Sequence, residues 1–452
     1  MKRIISLMSL SLVSLFLVGC SAENNGGIID FSDIIKPKTE IRVWIDDEKG
    51  DYVAELIEEF NKVEPDILVS HQHMGTADAR EKLKTFGPSG NGADVWQLPH
   101  DNLAVAISED LVLGLSDSVK TRLEDTLHPL GMQIGTVNYN ESTGAFDGSG
   151  VDKLYGVPQS IESIVLMYNK ALISGDAPVT TFEQLIAEAT TYMETNNSYY
   201  LGQSSHWADN YMLQFAYSAH GFYPFGVNLN DASNVGFATG SGDNYTATAN
   251  ATAAVDWLVN TLKPVVTGTA NHDSQNSGAA FEEGKLPYII SGPWMIESYS
   301  SKLGENFGVT TIPTINVDGE DKEAQPFTGA IMNAVYKYSN QQEAATKFVE
   351  FMSSEVGMQL LYDHKGKLPA LKTELLPEDV KNDPILQVVS NQIDKAIPMP
   401  VIPSSASYWG PGETMVKSVW NTGNATTSTT AIQAALVTAE KGYIAAEKLR
   451  LG

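Results

Sequence analysis

The chain has 452 residues, 42% of them hydrophobic, with 37 Gly and 20 Pro; at roughly 100 to 200 residues per domain, that length predicts two or more compact units with ample core. The 29 basic residues stand against 55 acidic ones, a net charge of −26, which has the wrong sign for attraction to a phosphate backbone and argues against a nucleic-acid partner. A neutral or cationic ligand is easier to accommodate.

Lys2 and Arg3 make a basic start, Ile4 to Val18 is an apolar run with several Ser, and Leu17-Val18-Gly19-Cys20 matches a lipobox. The run is too short and wrongly flanked for a lasting membrane helix and reads as a signal peptide over residues 1–19. Cys20 is the single cysteine of the chain, which rules out a disulfide within it and marks the thiol as the attachment point of a lipid anchor. Residues 20–38, rich in Gly, Asn, Ser and charge, read as a flexible tether between lipid and folded body.

Order begins at Ile41 to Ile45, an apolar, β-branched strand. After the charged stretch Asp46 to Gly50, Val53, Leu56, Ile57 and Phe60 fall at i, i+3, i+4 and i+7, one helix face. Pro65 stops that helix, and Ile67 to Val69 gives a second strand. Strand, helix, strand in succession argues for a parallel sheet and an α/β class, in which ligands sit in loops at the carboxyl ends of strands. The Asp46 to Lys49 loop is therefore either a ligand contact or a solvated charged turn. Asp94 to Trp96 reads as a third strand, with Gln97 to Asn102 as its end loop. His71 and His73 form an HxH pair with no third metal ligand near them in sequence.

Gly, Asn, Ser and Thr dominate from Gly131 to Asp152, which suggests a loop or lid. Leu154 to Lys170 follows as one extended segment interrupted by the polar patch Gln159 to Ser163. Glu162 inside such a segment is costly if buried alone, so it faces a wet cleft or has hydrogen-bonding partners. Thr180 and Glu183 form a capping box ahead of a helix with Phe182, Leu185, Ile186, Ala189 and Met193 on one face. The aromatics from Tyr199 to Phe225 are expected to be mostly core, and Asn228 to Asn250 reads as a polar excursion with a hairpin in it.

Leu286 to Ile290 is a buried-strand pattern halted by Ser291-Gly292-Pro293, which leaves Trp294 just past a strand end. There it either meets a ligand or caps a core. Phe327 to Tyr336 is strand-like, Asn340 to Tyr362 helical, and Tyr408 with Trp409 follows a Pro- and Ser-rich extended segment where two aromatics have less reason than usual to be core. Ala431 to Leu449 closes the chain as a helix. Internal repeats, a P-loop and a dinucleotide fingerprint are all missing.

Five stretches, WIDDEKG, ADVWQLPHD, YGVPQSIESIVLMYNK, GKLPYIISGPW with FGVTTIP, and IPSSASYW, occur in an order and at spacings that resemble the maltose-binding protein family, the oligosaccharide receptors of bacterial import systems. The resemblance implies an α/β, two-lobed periplasmic-binding-protein fold with a hinge and an interlobe ligand cleft. It places 39–160 and 331–380 in an N-terminal lobe, and 161–330 and 381–452 in a C-terminal one. By motif match it also implies sugar contacts at Glu48, Lys49, Asp101, Glu162, Trp294, Tyr408 and Trp409. The implied protein is a lipid-anchored monomer facing the extracytoplasmic side of the cell membrane. It has no cofactor or metal, captures maltose or maltodextrin by hinge closure and delivers it to the permease subunits of an ABC transporter.

The chain departs from that pattern at Leu98, where the family has Trp, at Asn102, where it has Arg, and in lacking the Glu-Pro-Tyr triplet of the second lobe. A different oligosaccharide therefore stays open. A surface glycosidase, with Asp101 and Glu162 or Glu282 and Glu283 as its carboxylates, is the reading from another class.

Overall fold

The protein is described by a computed structural model over residues 38–451, apart from 176, 197, 227–234, 243, 267–273 and 422–425. The signal peptide, Cys20, most of the tether and part of the Asn228 to Asn250 excursion lie outside the described residues. What is described of that excursion is an antiparallel hairpin, Ala238–Ser241 with Asn244–Ala247.

Two sheets organise the chain. In the first, Thr39–Ile45 pairs in parallel with Ile67–His73, from Thr39 opposite Ile67 to Ile45 opposite His73, and with Val95–Pro99 on its other side. The helix Asp51–Val63 crosses between the first two strands and buries Tyr52, Val53, Leu56 and Phe60. Phe327–Val335 adds antiparallel to Val95–Pro99, and Val157–Ser163 and Ile397–Pro398 both pair with it. The second sheet has the order Phe307–Thr310, Val165–Asn169, Tyr288–Ser291, Leu201–Gln203.

The chain passes from the first sheet to the second within one residue, Ile164, between the strands Val157–Ser163 and Val165–Asn169. Both strands are buried almost throughout. The helix Pro384–Lys395 packs Leu386, Val389 and Ile393 into a cluster that holds Ile41 and Val43 of the first sheet and Val165 and Ile289 of the second, so apolar packing is continuous from one sheet to the other. Among the described residues, no helix is long and apolar enough to cross a membrane.

Three expectations change. Residues 131–152 are structured: the helix Pro129–Gly135 runs into the hairpin Thr136–Tyr139 with Val151–Leu154. Glycine there signals close approach rather than looseness, since a Cβ on Gly135 would come within 2.1 Å of the Gly156 carbonyl oxygen. The capping pair of the helix Phe182–Asn196 is Thr181 with Gln184, one residue along. Thr181 Oγ1 accepts from Gln184 N at 3.1 Å and Gln184 Oε1 from Thr180 N at 3.4 Å, while Glu183 Oε1 accepts from Asn316 N at 3.0 Å. Tyr408 and Trp409 sit inside the helix Ser405–Trp420, which keeps Pro411 in its interior; Gly410, Pro411 and Gly412 hide that helix from a propensity reading.

Two stability outcomes follow from these contacts. Gly135→Ala drives a methyl group into a backbone carbonyl that cannot swing away, and should cost about 1 to 3 kcal/mol of unfolding free energy in a denaturant titration. Thr181→Ala should cost about 1 kcal/mol in the same assay through the lost cap.

Candidate functional site

The strand Val95–Pro99 ends where Pro99 cannot donate a ladder hydrogen bond, and the chain turns through the short 3-10 segment His100–Asn102. His100 is buried. Its Nδ1 accepts the N–H of Ala330 at 3.2 Å, so its Nε2 carries the proton and donates to the Met399 carbonyl at 3.2 Å. The ring lies against Gly329, where a Cβ would come within 2.6 Å of Cε1. Burial lowers the pKa of this imidazole, and both of its nitrogens are committed as in the neutral form. One neutral ring thereby ties together three segments, 99–102, 329–331 and 397–400. Beside it, burial pushes the Asp101 carboxyl up, and a 3.3 Å hydrogen bond from Asn102 Nδ2 works against that shift.

These residues form one wall of a cavity of about 590 Å³. Glu162 reaches the same cavity from the strand Val157–Ser163. Its carboxylate is nearly buried and satisfied from two sides: Ser160 Oγ donates to Oε1 at 2.9 Å, and Lys367 Nζ lies 3.2 Å away. Both conditions for a carboxylate in that segment are met, a cavity and partners.

The opposite wall comes from elements of the second sheet and the helices around it. After the strand Leu201–Gln203, Asp209 caps the helix Asn210–Ala219: Oδ1 accepts from Tyr211 N at 3.1 Å and Oδ2 from the Ser205 hydroxyl at 2.6 Å. Tyr211 lies over Phe327 with ring centroids 6.0 Å apart, and burial, then the charges of Glu162 and Asp101, push its phenol far above the usual range. Trp294 stands in the 3-10 turn Pro293–Met295 past its strand, 41% exposed, with its ring folded over Gly292. Trp409 packs edge-on to Phe327 at 6.5 Å. Glu413, one helical turn on, lines the same cavity, accepts from Lys417 and lies 3.6 Å from His206 Nε2. The Lys417 hydrogen bond, more than the nearby charges, holds the Glu413 carboxyl low.

Of the sequence candidates, the structure brings Asp101, Glu162, Trp294 and Trp409 together around this cavity. Tyr408 is separated from them. Adjacent helical residues point about 100° apart, and with Trp409 toward the cavity Tyr408 turns inward, fully buried, stacked on Phe237 at 4.5 Å with its hydroxyl 3.3 Å from Asn210 Oδ1. Glu48 and Lys49 are exposed and outside the lining; Lys49 is ion-paired with Glu297 at 2.8 Å. His71 and His73 are not gathered into a metal site: His71 Nε2 meets the Ile45 carbonyl and His73 lies 3.6 Å from Asp46. Among the described residues, no group of three or more His, Cys, Asp or Glu has metal-holding geometry.

Sequence reasoning missed His100, His206, Asp209, Tyr211 and Glu413. The four-residue spacing of Trp409 and Glu413 would have paired them had the helix been legible; His100 and Tyr211 carried no such signal.

The chemistry of the lining is plain. Tyr211, Trp294 and Trp409 offer aromatic planes, and the carboxylates of Asp101, Glu162, Asp209 and Glu413 offer acceptors. Among the described lining residues there is no Lys or Arg. Such a site suits a neutral ligand with an apolar face and a rim of hydroxyl donors, since hydrogen bonds to ionised acceptors are the stronger kind.

Comparison with known proteins agrees. The chain is 27% identical over 425 residues, 92% of each chain, to a protein of Streptococcus pneumoniae named maltooligosaccharide ABC transporter solute-binding lipoprotein. It is 26% identical over 422 residues, again 92% of each, to the galactooligosaccharide-binding protein of Bacillus subtilis. A crystal structure of a cyclo/maltodextrin-binding protein complexed with maltotetraose superposes with a TM-score of 0.70 at 25% identity, covering 92% of this chain and 98% of that one. Residues 55–388 match the family described as bacterial extracellular solute-binding protein, and with the sheet arrangement and the cavity this places the chain in that family.

Proposed function

We propose that the protein is an extracytoplasmic solute-binding receptor that captures an oligosaccharide of the maltodextrin class and delivers it to an ABC importer, without catalysing its breakdown. The observation that carries this is the cavity in which Trp294 and Trp409, from one wall, meet Asp101 and Glu162, from the other. Stacking planes and carboxyl acceptors are what a sugar's C–H face and hydroxyl rim require. The relative from Streptococcus pneumoniae and the maltotetraose complex support an α-1,4-glucan as the ligand.

In this reading Cys20 carries the lipid that holds the mature chain, a monomer, on the outer face of the cell membrane. The lobes are 39–160 with 331–380 and 161–330 with 381–452, and binding closes them by hinge motion into the form the permease recognises. Glu48 and Lys49 lie on the rim of that cleft.

A galactooligosaccharide is the second reading. It is favoured by the near-equal similarity to the galactooligosaccharide-binding relative and by Leu98, a fully buried residue at the position where the resembled family has Trp.

A thermal-shift series of the chain without residues 1–38 separates these. A ligand at a hundred times its dissociation constant adds about 2.7 kcal/mol to native stability. Maltotriose and longer maltodextrins should raise the melting temperature while galactooligosaccharides and uronate oligomers do not; a rise with the galactosides alone replaces the ligand and keeps the receptor, and silence across the panel removes the receptor reading. Reducing sugar released from a bound maltodextrin would instead mark an enzyme.

Two variants test the site itself. Trp294→Ala should lose about 1 to 3 kcal/mol of sugar binding, on the scale of aromatic stacking with other planar ligands. Tyr408→Phe should leave sugar affinity unchanged, because its hydroxyl faces Asn210 in the core; a tenfold loss of affinity would return Tyr408 to the site.

A further inference from the structure

Lys49 carries the only part of the charged loop after Thr39–Ile45 that reaches across to the other sheet's elements by an ion pair among the described residues. Its Nζ lies 2.8 Å from Glu297 Oε1, 248 residues away in sequence. The loop that presents it is held at both ends. Asp46 N donates to Gln97 Oε1 at 3.0 Å. The buried Asp47 accepts from Val53 N at 3.0 Å and pairs with Lys365 at 2.7 Å. On the far side, Gly50 takes the left-handed conformation, φ 81°, that lets the chain turn into its helix. Lys49 is thus offered from a fixed base, and the hydrogen bond with Glu297 is the largest cause raising its pKa, with Asp51 and Asp47 adding to it.

Glu297 is the second residue of the helix Ile296–Leu303, three residues beyond Trp294. The turn between is a closed unit, with Met295 N donating to Gly292 O at 3.1 Å and the indole lying over Gly292. Because the turn and the first turn of the helix are continuous, what holds Glu297 also holds the indole.

We infer that Lys49 is a positioning residue that acts through Glu297: the ion pair seats the Trp294 turn against the first-sheet side of the cavity, and sets the aromatic plane on which the ligand stacks. This rests on the oligosaccharide reading above, and gives Lys49 a different part from the direct sugar contact expected from its motif. Both side chains are more than half exposed, 72% for Lys49 and 51% for Glu297, so the pair is screened and reversible rather than a permanent clamp.

The test is isothermal titration of the full-length lipoprotein in detergent with maltotriose, for the wild type, K49E, E297K and the double exchange. Each single reversal should weaken binding roughly threefold to tenfold with the melting temperature of the free protein unchanged, and the exchange of both charges should restore affinity to within about twofold of wild type. Wild-type binding should weaken between 0.05 M and 1 M NaCl, while the neutral pair K49M/E297Q should bind weakly and show no such dependence. If K49E loses binding and adding E297K fails to recover it, Lys49 touches the sugar itself and the inference falls. Wild-type affinity in both single variants overturns it equally. Failure of the wild type to bind maltotriose or any other oligosaccharide of the thermal-shift panel is the separate outcome that removes the receptor reading.

Discussion

The antiparallel pairing of Val157–Ser163 with Phe327–Val335 is the constraint on which the rest depends. Both strands are buried along their whole length, yet both carry polar side chains, and a buried polar group without a partner costs more than most single contacts contribute. Most of the partners are therefore built in, with Asn333 Nδ2 left unpaired. Gln97 Nε2 donates to Gln159 Oε1 and to Asn333 Oδ1, Gln159 donates to the Tyr52 hydroxyl, and Ser163 Oγ donates to the Phe327 carbonyl. The register slips once, between Ile331 and Met332, where Pro158 occupies a ladder position without an N–H to give. The outer edge of Val157–Ser163 is covered by 368–370 through Ala370 N to Gln159 O and Ile161 N to Leu368 O.

That ladder is also what delivers the site. Glu162 and Gly329 stand opposite each other in its register, so the carboxylate and the glycine that admits His100 are placed by the same pairing. His100 then closes the floor with two hydrogen bonds to main chain, and Asp101 follows it by one residue into the cavity. His100 and Glu162 cannot drift without breaking a buried hydrogen bond. The Tyr211 and Trp409 part of the opposite wall depends instead on side-chain packing around Phe327 and Phe225.

The α/β class, the run of strands along the chain and the exposed Trp after the GPW turn were legible because each rests on local pattern: β-branched runs, a 3.6-residue period, a Gly-Pro stop. Asp101 and Glu162 were legible through resemblance and, for Glu162, through the cost of burying a carboxylate. What failed to be legible was long-range or masked by glycine. The 131–152 segment looked loose because its glycines allow close packing; the helix around Tyr408 was obscured by Gly410, Pro411 and Gly412; and His100 gained its part only from Ala330 and Met399, 230 and 299 residues away. No period in the sequence encodes such a contact.

The electrostatics of the cavity follow from where the lysines are spent. Lys367 is beside Glu162, Lys417 on Glu413, Lys365 on Asp47 and Lys49 on Glu297, so each of these four cations is already committed to a protein carboxylate. A ligand bearing its own negative charge would meet acceptors with no cation left to receive it, and the loss of its hydration would go uncompensated. A hydroxylated neutral ligand meets the same acceptors as a donor. Among the described lining residues there is no Lys or Arg, and the lysines near the walls are paired with protein carboxylates, so the carboxyl acceptors of the lining face the cavity with none of these cations left for an anionic ligand.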